Sequence, residues 1–327
     1  MIVLIRLLFV TTFIICEYNS ISMSQTVEYE KEIMFSLNWG DAADQIGFRQ
    51  NKPRGPEDFY IGTTNFTVTS NGLFWIYDVP QQAIKAFNTS GDLVYLYKLM
   101  EDAGLEGFIA SDSDDNIWFH NAFERRIIKL NQKGKLLHAI EFESDEGLGA
   151  FCIINNNPVM LTNILIDIES KISDTAYHDK PVYLGKRIDI VSSSEFSPYR
   201  GKKTNRIYQI KDAEVLLSDG EVIPPMLLIN NEAKDLGFGE YFSTYHILFE
   251  KEDNSGKIFI QLYPKKKTNT ILMVYNEDCS HLQSIELPEP HRDYGFIGDP
   301  LYIDDNGTVY YMQLRSDLIT FFKWSIK

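Results

Sequence analysis

The chain is poor in several features that usually mark function. It holds three cysteines in 327 residues, Cys16, Cys152 and Cys279, too few for a disulfide-built scaffold. Lys and Arg together number 31 against 46 Asp and Glu, a net charge of −15. No basic stripe interrupts that excess, which argues against a nucleic-acid partner; Lys202-Lys203 and Lys265-Lys266-Lys267 are short runs expected at solvated loop tips. Past the first twenty residues no apolar run is long enough to cross a membrane, and no stretch keeps a long helical period. There is no phosphate loop, no dinucleotide fingerprint and no Gly-x-Ser-x-Gly elbow. The six histidines, His120, His138, His178, His246, His281 and His291, include no pair at metal-ligand spacing on one strand or helix. Neither Cys152 nor Cys279 has a histidine partner nearby in sequence.

What is present is a repeat. Asn71-Gly72-Leu73-Phe74-Trp75-Ile76-Tyr77-Asp78 is a polar turn running into an aromatic strand. Ile84-Lys85-Ala86-Phe87 and the turn Asn88 to Gly91 follow it. The second copy is Asp115-Asn116-Ile117-Trp118-Phe119, then Arg126-Ile127-Ile128-Lys129-Leu130 and Asn131 to Gly134. Fainter copies begin at Ile207, Ile258 and Val309. Aromatics make up 13% of the chain, which suits pleated, half-buried strands. A strand-only repeat of roughly 45 residues predicts an all-β fold, a β-propeller of four-stranded blades.

The spacing predicts six blades. The stretch between the second copy and Ile258 has room for two more, with strands at Val159 to Thr162 and Ile207 to Ile210. A Gly-to-aromatic signal before each blade agrees: Gly55 to Phe59, Gly104 to Phe108, Gly147 to Phe151, Gly237 to Tyr241 and Gly295-Phe296. The last blade runs out of chain before a fourth strand. Glu32 to Leu37 supplies the missing type, so the N-terminal strand is expected to complete that blade and close the ring, removing an open edge. Trp75, Trp118 and Tyr310 are expected in the core between blades. Residues 164–187 lack a clean pattern.

Arg6 and the apolar run Leu7 to Cys16 read as an export signal over residues 1–24, cleaved near Ser22-Met23-Ser24. Residues 25–327 then form one domain, with no transmembrane segment in the mature chain. The expected location is the periplasm, the cell envelope or the extracellular space. An acylated Cys16 is the alternative, giving a lipid anchor. Cys152 and Cys279 fall in non-adjacent blades, beyond the roughly 7 Å a disulfide spans, and are expected as free thiols. Asn65, Asn88 and Asn306 sit in glycosylation triplets.

The blade pattern resembles NHL-repeat and related six-bladed propellers, over roughly residues 55–142 and more loosely over 245–327. Phe74-Trp75-Ile76-Tyr77-Asp78 and Ile117-Trp118-Phe119-His120-Asn121 occupy the first-strand motif. Ile84-Lys85-Ala86-Phe87 and Arg126-Ile127-Ile128-Lys129-Leu130 occupy the second. More distantly, Gly55-Pro56-Glu57 and Trp75 to Pro80 resemble the gluconolactonase and senescence-marker family. That resemblance implies a divalent metal in the central channel with Glu57 as a ligand; the family's later Asn and Asp ligands have no counterpart here.

The loops that open the blades converge on the axis of a ring, so their acids are the candidate ligand-binding residues: Glu57, Asp58, Glu106, Glu240 and Asp299. Two functions fit. One is an exported binding scaffold that recognises a protein or polymer on one face of the ring, as a monomer and without a cofactor. The other is a metal-dependent hydrolase or lactonase whose carboxylates hold calcium or another divalent ion. The run Asp112-Ser113-Asp114-Asp115-Asn116 lacks the Gly and terminal Glu of a calcium hand and reads as a turn. No catalytic residue is assigned.

Overall fold

In the computed structural model the described residues are 28–51, 59–99, 107–121, 126–141, 151–154, 157–161, 165–167, 187–188, 199–201, 203–211, 213–215, 222–265, 269–289, 300–315 and 317–327. They are almost entirely strand. β1 is Tyr29–Asn38, and the short pair β2 (Arg49–Asn51) and β3 (Phe59–Ile61) follows. The first four-stranded sheet is β4 (Thr63–Val68), β5 (Phe74–Asp78), β6 (Ala83–Phe87) and β7 (Leu93–Lys98). The second is β8 (Gly107–Ser111), β9 (Ile117–Asn121), β10 (Arg126–Leu130) and β11 (Leu136–Glu141). The third is β12 (Phe151–Ile154), β13 (Asn157–Leu161), β14 (Leu165–Asp167) and β15 (Arg187–Ile188). The fourth is β16 (Tyr199–Arg200), β17 (Ile207–Lys211), β20 (Met226–Ile229) and β21 (Glu232–Lys234). A small pair, β18 (Glu214–Val215) and β19 (Val222–Ile223), interrupts it. The fifth is β22 (Tyr245–Glu252), β23 (Ile258–Pro264), β24 (Thr270–Tyr275) and β25 (His281–Leu287). The sixth is β26 (Leu301–Ile303), β27 (Val309–Leu314), β28 (Leu318–Ile326) and, returning from the other end of the chain, β1.

Each sheet is an antiparallel meander, the architecture of a β-propeller blade. The strands expected at Val159 and Ile207 fall in sheets of their own. The expected N-terminal strand is present too: β1 pairs with β28 from Tyr29 opposite Ile326 to Asn38 opposite Leu318.

The sheets pack face to face through aromatic seams. Phe35 and Phe321 of the sixth sheet meet Phe66 and Phe74 of the first. Phe35 stacks on Phe321 at 4.7 Å and meets Phe74 edge-on at 4.9 Å. Trp75 and Tyr77 of the first sheet pack on Ile109, Phe119 and Ile128 of the second. Tyr208 of the fourth stacks on Phe249 of the fifth at 4.7 Å. Phe259 and Val274 of the fifth meet Tyr311 and Trp324 of the sixth. Each aromatic pair adds about 0.5–1.5 kcal/mol beyond its buried area. Trp75 and Trp118 are fully buried, as expected; Tyr310 is half-buried against Phe74. Trp118 also donates to Asp112 Oδ2 at 3.0 Å.

Candidate functional site

The two ends of the sheets differ in chemistry. At one end, the turns between first and second strands are closed by their own acids. Asp112 Oδ1 accepts the backbone N–H groups of Asp114 and Asn116 at 3.0 and 2.8 Å. Asp253 does the same for Ser255 and Lys257, and Asp304 for Asn306 and Thr308, all at 2.8 Å. The third-to-fourth turns repeat this with Asn88 and Asn131. The fourth residue of each such turn is left-handed, and glycine takes the place at 72, 91, 134, 256 and 307, since it alone adopts that φ without strain. Asp115 and Cys279 are the exceptions, at φ 59 and 70. The run 112–116 is therefore a turn, as its sequence suggests.

Asp115 does more than close a turn. Its Oδ1 accepts the Ser70 N–H at 2.7 Å and its Oδ2 accepts the Ser70 hydroxyl, tying the second sheet's turn to the first sheet's. The fifth and sixth sheets are tied similarly. Asn254 N donates to Asp305 O at 2.8 Å, and Lys251 Nζ lies 2.8 Å from both Ile303 O and Asp305 Oδ1.

The first strands line up in one direction. Asn65 Nδ2 donates to Gly107 O at 2.9 Å; Thr67 Oγ1 and Ser111 Oγ lie 2.9 Å apart; Ser70 meets Asp115. Residue numbers rise together along β4 and β8, so both strands point the same way. Lys251 with Ile303, followed by Asn254 with Asp305, shows the same for β22 and β26. Ser111 Oγ also sits 3.3 Å from the Tyr302 hydroxyl, joining three first strands in one hydroxyl cluster. With first strands co-directed and every sheet a meander, the short acid-capped turns share one end. The second-to-third turns and all sheet-to-sheet connections share the other.

That second end carries residues 39–48, the connection from β1 toward β2. Here the sequence hides a buried ion pair. Lys85 Nζ lies 2.7 Å from Asp78 Oδ2, and neither side chain is exposed. Lys85 also donates to Gln45 O, and Asp78 accepts the N–H groups of Gly47 at 3.0 Å and Gln81 at 3.2 Å. Burial lowers the Lys85 pKa, opposed by Asp78. Gln81 Nε2 donates to Gly40 O at 2.9 Å, and Trp39 Nε1 to Arg315 O at 2.7 Å. The segment is thus fixed to the first and sixth sheets, with Asp41 and Asp44 exposed at its tip. The only sequence signal for it was a lysine inside the five-residue apolar strand Ala83–Phe87.

Of the predicted site residues, Glu240 is described. It is exposed, ending a 3-10 helix Phe238–Glu240 in the connection ahead of β22. Glu57, Asp58, Glu106 and Asp299 lie outside the described residues. Among the described residues no three His, Cys, Asp or Glu side chains are grouped as metal ligands, and no helix is long and apolar enough to cross a membrane. Cys279 is a half-buried free thiol whose pKa burial raises; the Cys152 side chain lies outside the described residues. His120 is fully buried on β9, stacked on Phe108 at 6.2 Å, and burial lowers its pKa to about 4. His246 is exposed on β22. Asn65, in a glycosylation triplet, is buried with its amide on Gly107 O, so the folded chain does not offer it to an enzyme.

No family model matches the chain, and no curated protein matches it. Solved structures do. Virginiamycin B lyase from Staphylococcus aureus is 14% identical with a TM-score of 0.49, covering 90% of this chain and 99% of its own. A member of the DUF4221 family from Bacteroides vulgatus is 12% identical at 0.44, over 93% and 99%. The Neurospora crassa Pan2 WD40 domain is 8% identical at 0.46, over 90% and 95%. This chain is similar to these proteins in overall shape, and at such scores the likeness assigns it no activity.

Proposed function

We propose that the six sheets are six blades of one ring, closed where β1 completes the sixth, and that the protein is an exported scaffold. It binds a protein or polymer ligand on the face that carries the sheet-to-sheet connections. The NHL-repeat type is the propeller class that its blade motifs fit. The supporting observation is the asymmetry of the two ends. One end is stitched shut by short turns whose acids are spent on their own backbone, leaving little to recognise a ligand. The other gathers the long connections, and residues 39–48 are anchored there by a buried ion pair. Recognition residues concentrate on loops held by a rigid scaffold. Glu240 stands on this face, and Glu57, Asp58, Glu106 and Asp299 are proposed to join it. Export follows from the N-terminal signal, with the chain monomeric and either freely exported or anchored through Cys16.

The test is metal content. Elemental analysis of the purified protein, with a thermal-shift scan in Ca²⁺, Zn²⁺ and Mg²⁺, should find no stoichiometric ion and no shift. A bound ion that disappears in Glu57→Gln would overturn the scaffold reading in favour of a metal-dependent hydrolase or lactonase. A screen of lactones and esters would then identify its substrate.

A further inference from the structure

The outer edges of the sheets are not alike. Seven large apolar side chains are exposed among the described residues, and four of them lie on two neighbouring outer strands. Val94 and Leu96 are on β7 of the first sheet; Leu136 and Leu137 are on β11 of the second, Leu137 being 51% exposed. The outer strands of the fourth and fifth sheets show a different surface. β21 exposes Glu232 and Lys234, and β25 exposes His281, Ser284 and Glu286. A fully polar edge is the ordinary defence against stray strand pairing, and β7 and β11 lack it.

The charge around these two strands runs against that of the chain. In a protein of net charge −15, the exposed ionic groups here are Lys98, Lys133 and Lys135, with Asp92 the exposed acid. Asp92 is already engaged, its Oδ2 accepting from Asn88 Nδ2 at 3.0 Å. Along β11 the register with β10 shifts only near the turn, between Lys129 and Leu130. From His138 to Glu141 the strand pairs regularly on its inner side, and its outer side is a straight edge.

We infer that the outer edge of the second sheet is a strand-addition site for an extended, acidic peptide segment. The segment pairs with β11 through its backbone. Its aliphatic side chains cover Leu136 and Leu137, and its acids meet Lys133 and Lys135. Main-chain pairing supplies affinity in this mode and alternate side chains supply selectivity. The lysines also choose the partner. A second copy of this chain pairing edge to edge would bring Lys133 and Lys135 against their own kind, whereas an acidic strand gains what that copy loses. The site lies on the rim and is independent of the connection face.

A fluorescein-labelled decapeptide alternating valine and glutamate serves as the probe, read by anisotropy against the purified protein. It should bind saturably, weaken as salt is raised, and protect amides 137–141 from hydrogen exchange. Methylating its alternate backbone nitrogens, replacing its glutamates by lysine, or introducing Lys133→Glu with Lys135→Glu should each weaken binding at least about tenfold, or 1.4 kcal/mol. Both lysines are solvent-exposed, so that double variant should keep its melting profile, and it should gain affinity for the lysine peptide. The inference is overturned by absence of binding up to about 1 mM. Equal binding of the N-methylated peptide, or unchanged binding by the double variant, overturns it as well. A dimer in sedimentation runs that Leu137→Lys dissolves would overturn it in favour of self-pairing.

Discussion

Replacing Lys85 by methionine tests how residues 39–48 are held. Methionine matches the aliphatic stem of lysine, so the change removes a charge and a donor with little change in packing. It leaves the Asp78 carboxylate buried with only two N–H donors, from Gly47 and Gln81, and strands the Gln45 carbonyl. Removing one partner of a buried pair costs about 3–5 kcal/mol, because the remaining charge is uncompensated. Neutralising both in Asp78→Asn with Lys85→Met keeps an acceptor for the two N–H groups, so the double variant should cost only about 1–2 kcal/mol. Urea unfolding gives the three free energies. Limited proteolysis near Ala42-Ala43 reports the segment directly and should accelerate in the single variant before global unfolding does. If Lys85→Met costs under about 1 kcal/mol, or the double variant is no milder than the single, the pair does not anchor the segment.

Other predictions follow from the same contacts. His120 titrates near 4 when folded against about 6.5 unfolded, so the unfolded chain binds more protons between those values and stability falls as pH drops from 6.5 to 4. The loss should be about 3 kcal/mol at 1.36 per pH unit; urea melts at pH 7 and 4.5 measure it, and His120→Phe should remove most of the pH difference. Asp115→Ala should be more destabilising than Asp115→Gly by about 1 kcal/mol, because both lose the Ser70 bonds but alanine alone keeps the left-handed strain. Thermal unfolding of the two variants side by side decides it. Phe35→Ala, at the centre of the seam between first and sixth sheets, should cost about 3–5 kcal/mol in chemical unfolding.

Much of the fold can be read in the sequence because the repeat records two local needs at once. Phe74 to Tyr77, Ile117 to Phe119 and Ile258 to Ile260 are apolar on both faces because blades bury both, which makes them stand out from exposed strands. Asp or Asn followed by a left-handed residue three positions later marks each turn, because that geometry needs a side-chain acceptor and a glycine. The reading weakens where long-range pairing decides. Lys85 looks like a polar slip in an apolar strand until Asp78 and Gln45 are placed beside it. Asp115 looks like one more turn acid, though its carboxylate belongs to Ser70 of the neighbouring sheet. Asn65 matches a modification triplet by spacing alone, and burial takes it out of reach. Of the predicted acidic site, Glu240 stands exposed where a connection loop should be, and its four companions lie outside the described residues.

The convergence of the connections on one face requires that the chain's ends meet. Ser36 and Thr320 are register partners of β1 and β28, their hydroxyl oxygens 3.2 Å apart across a separation of 284 residues. The variant Ser36→Cys with Thr320→Cys should form an intrachain disulfide under mild oxidation when folded, and not in urea. Closing a loop of that length should stabilise the protein by up to about 5 kcal/mol through the unfolded chain's lost entropy. Oxidation of the native double variant, mapped by mass spectrometry, is the measurement. Rapid formation of the 36–320 bridge with a higher unfolding midpoint is the predicted result. A native protein whose two cysteines stay reduced while the solvent oxidises small thiols would contradict the closed ring.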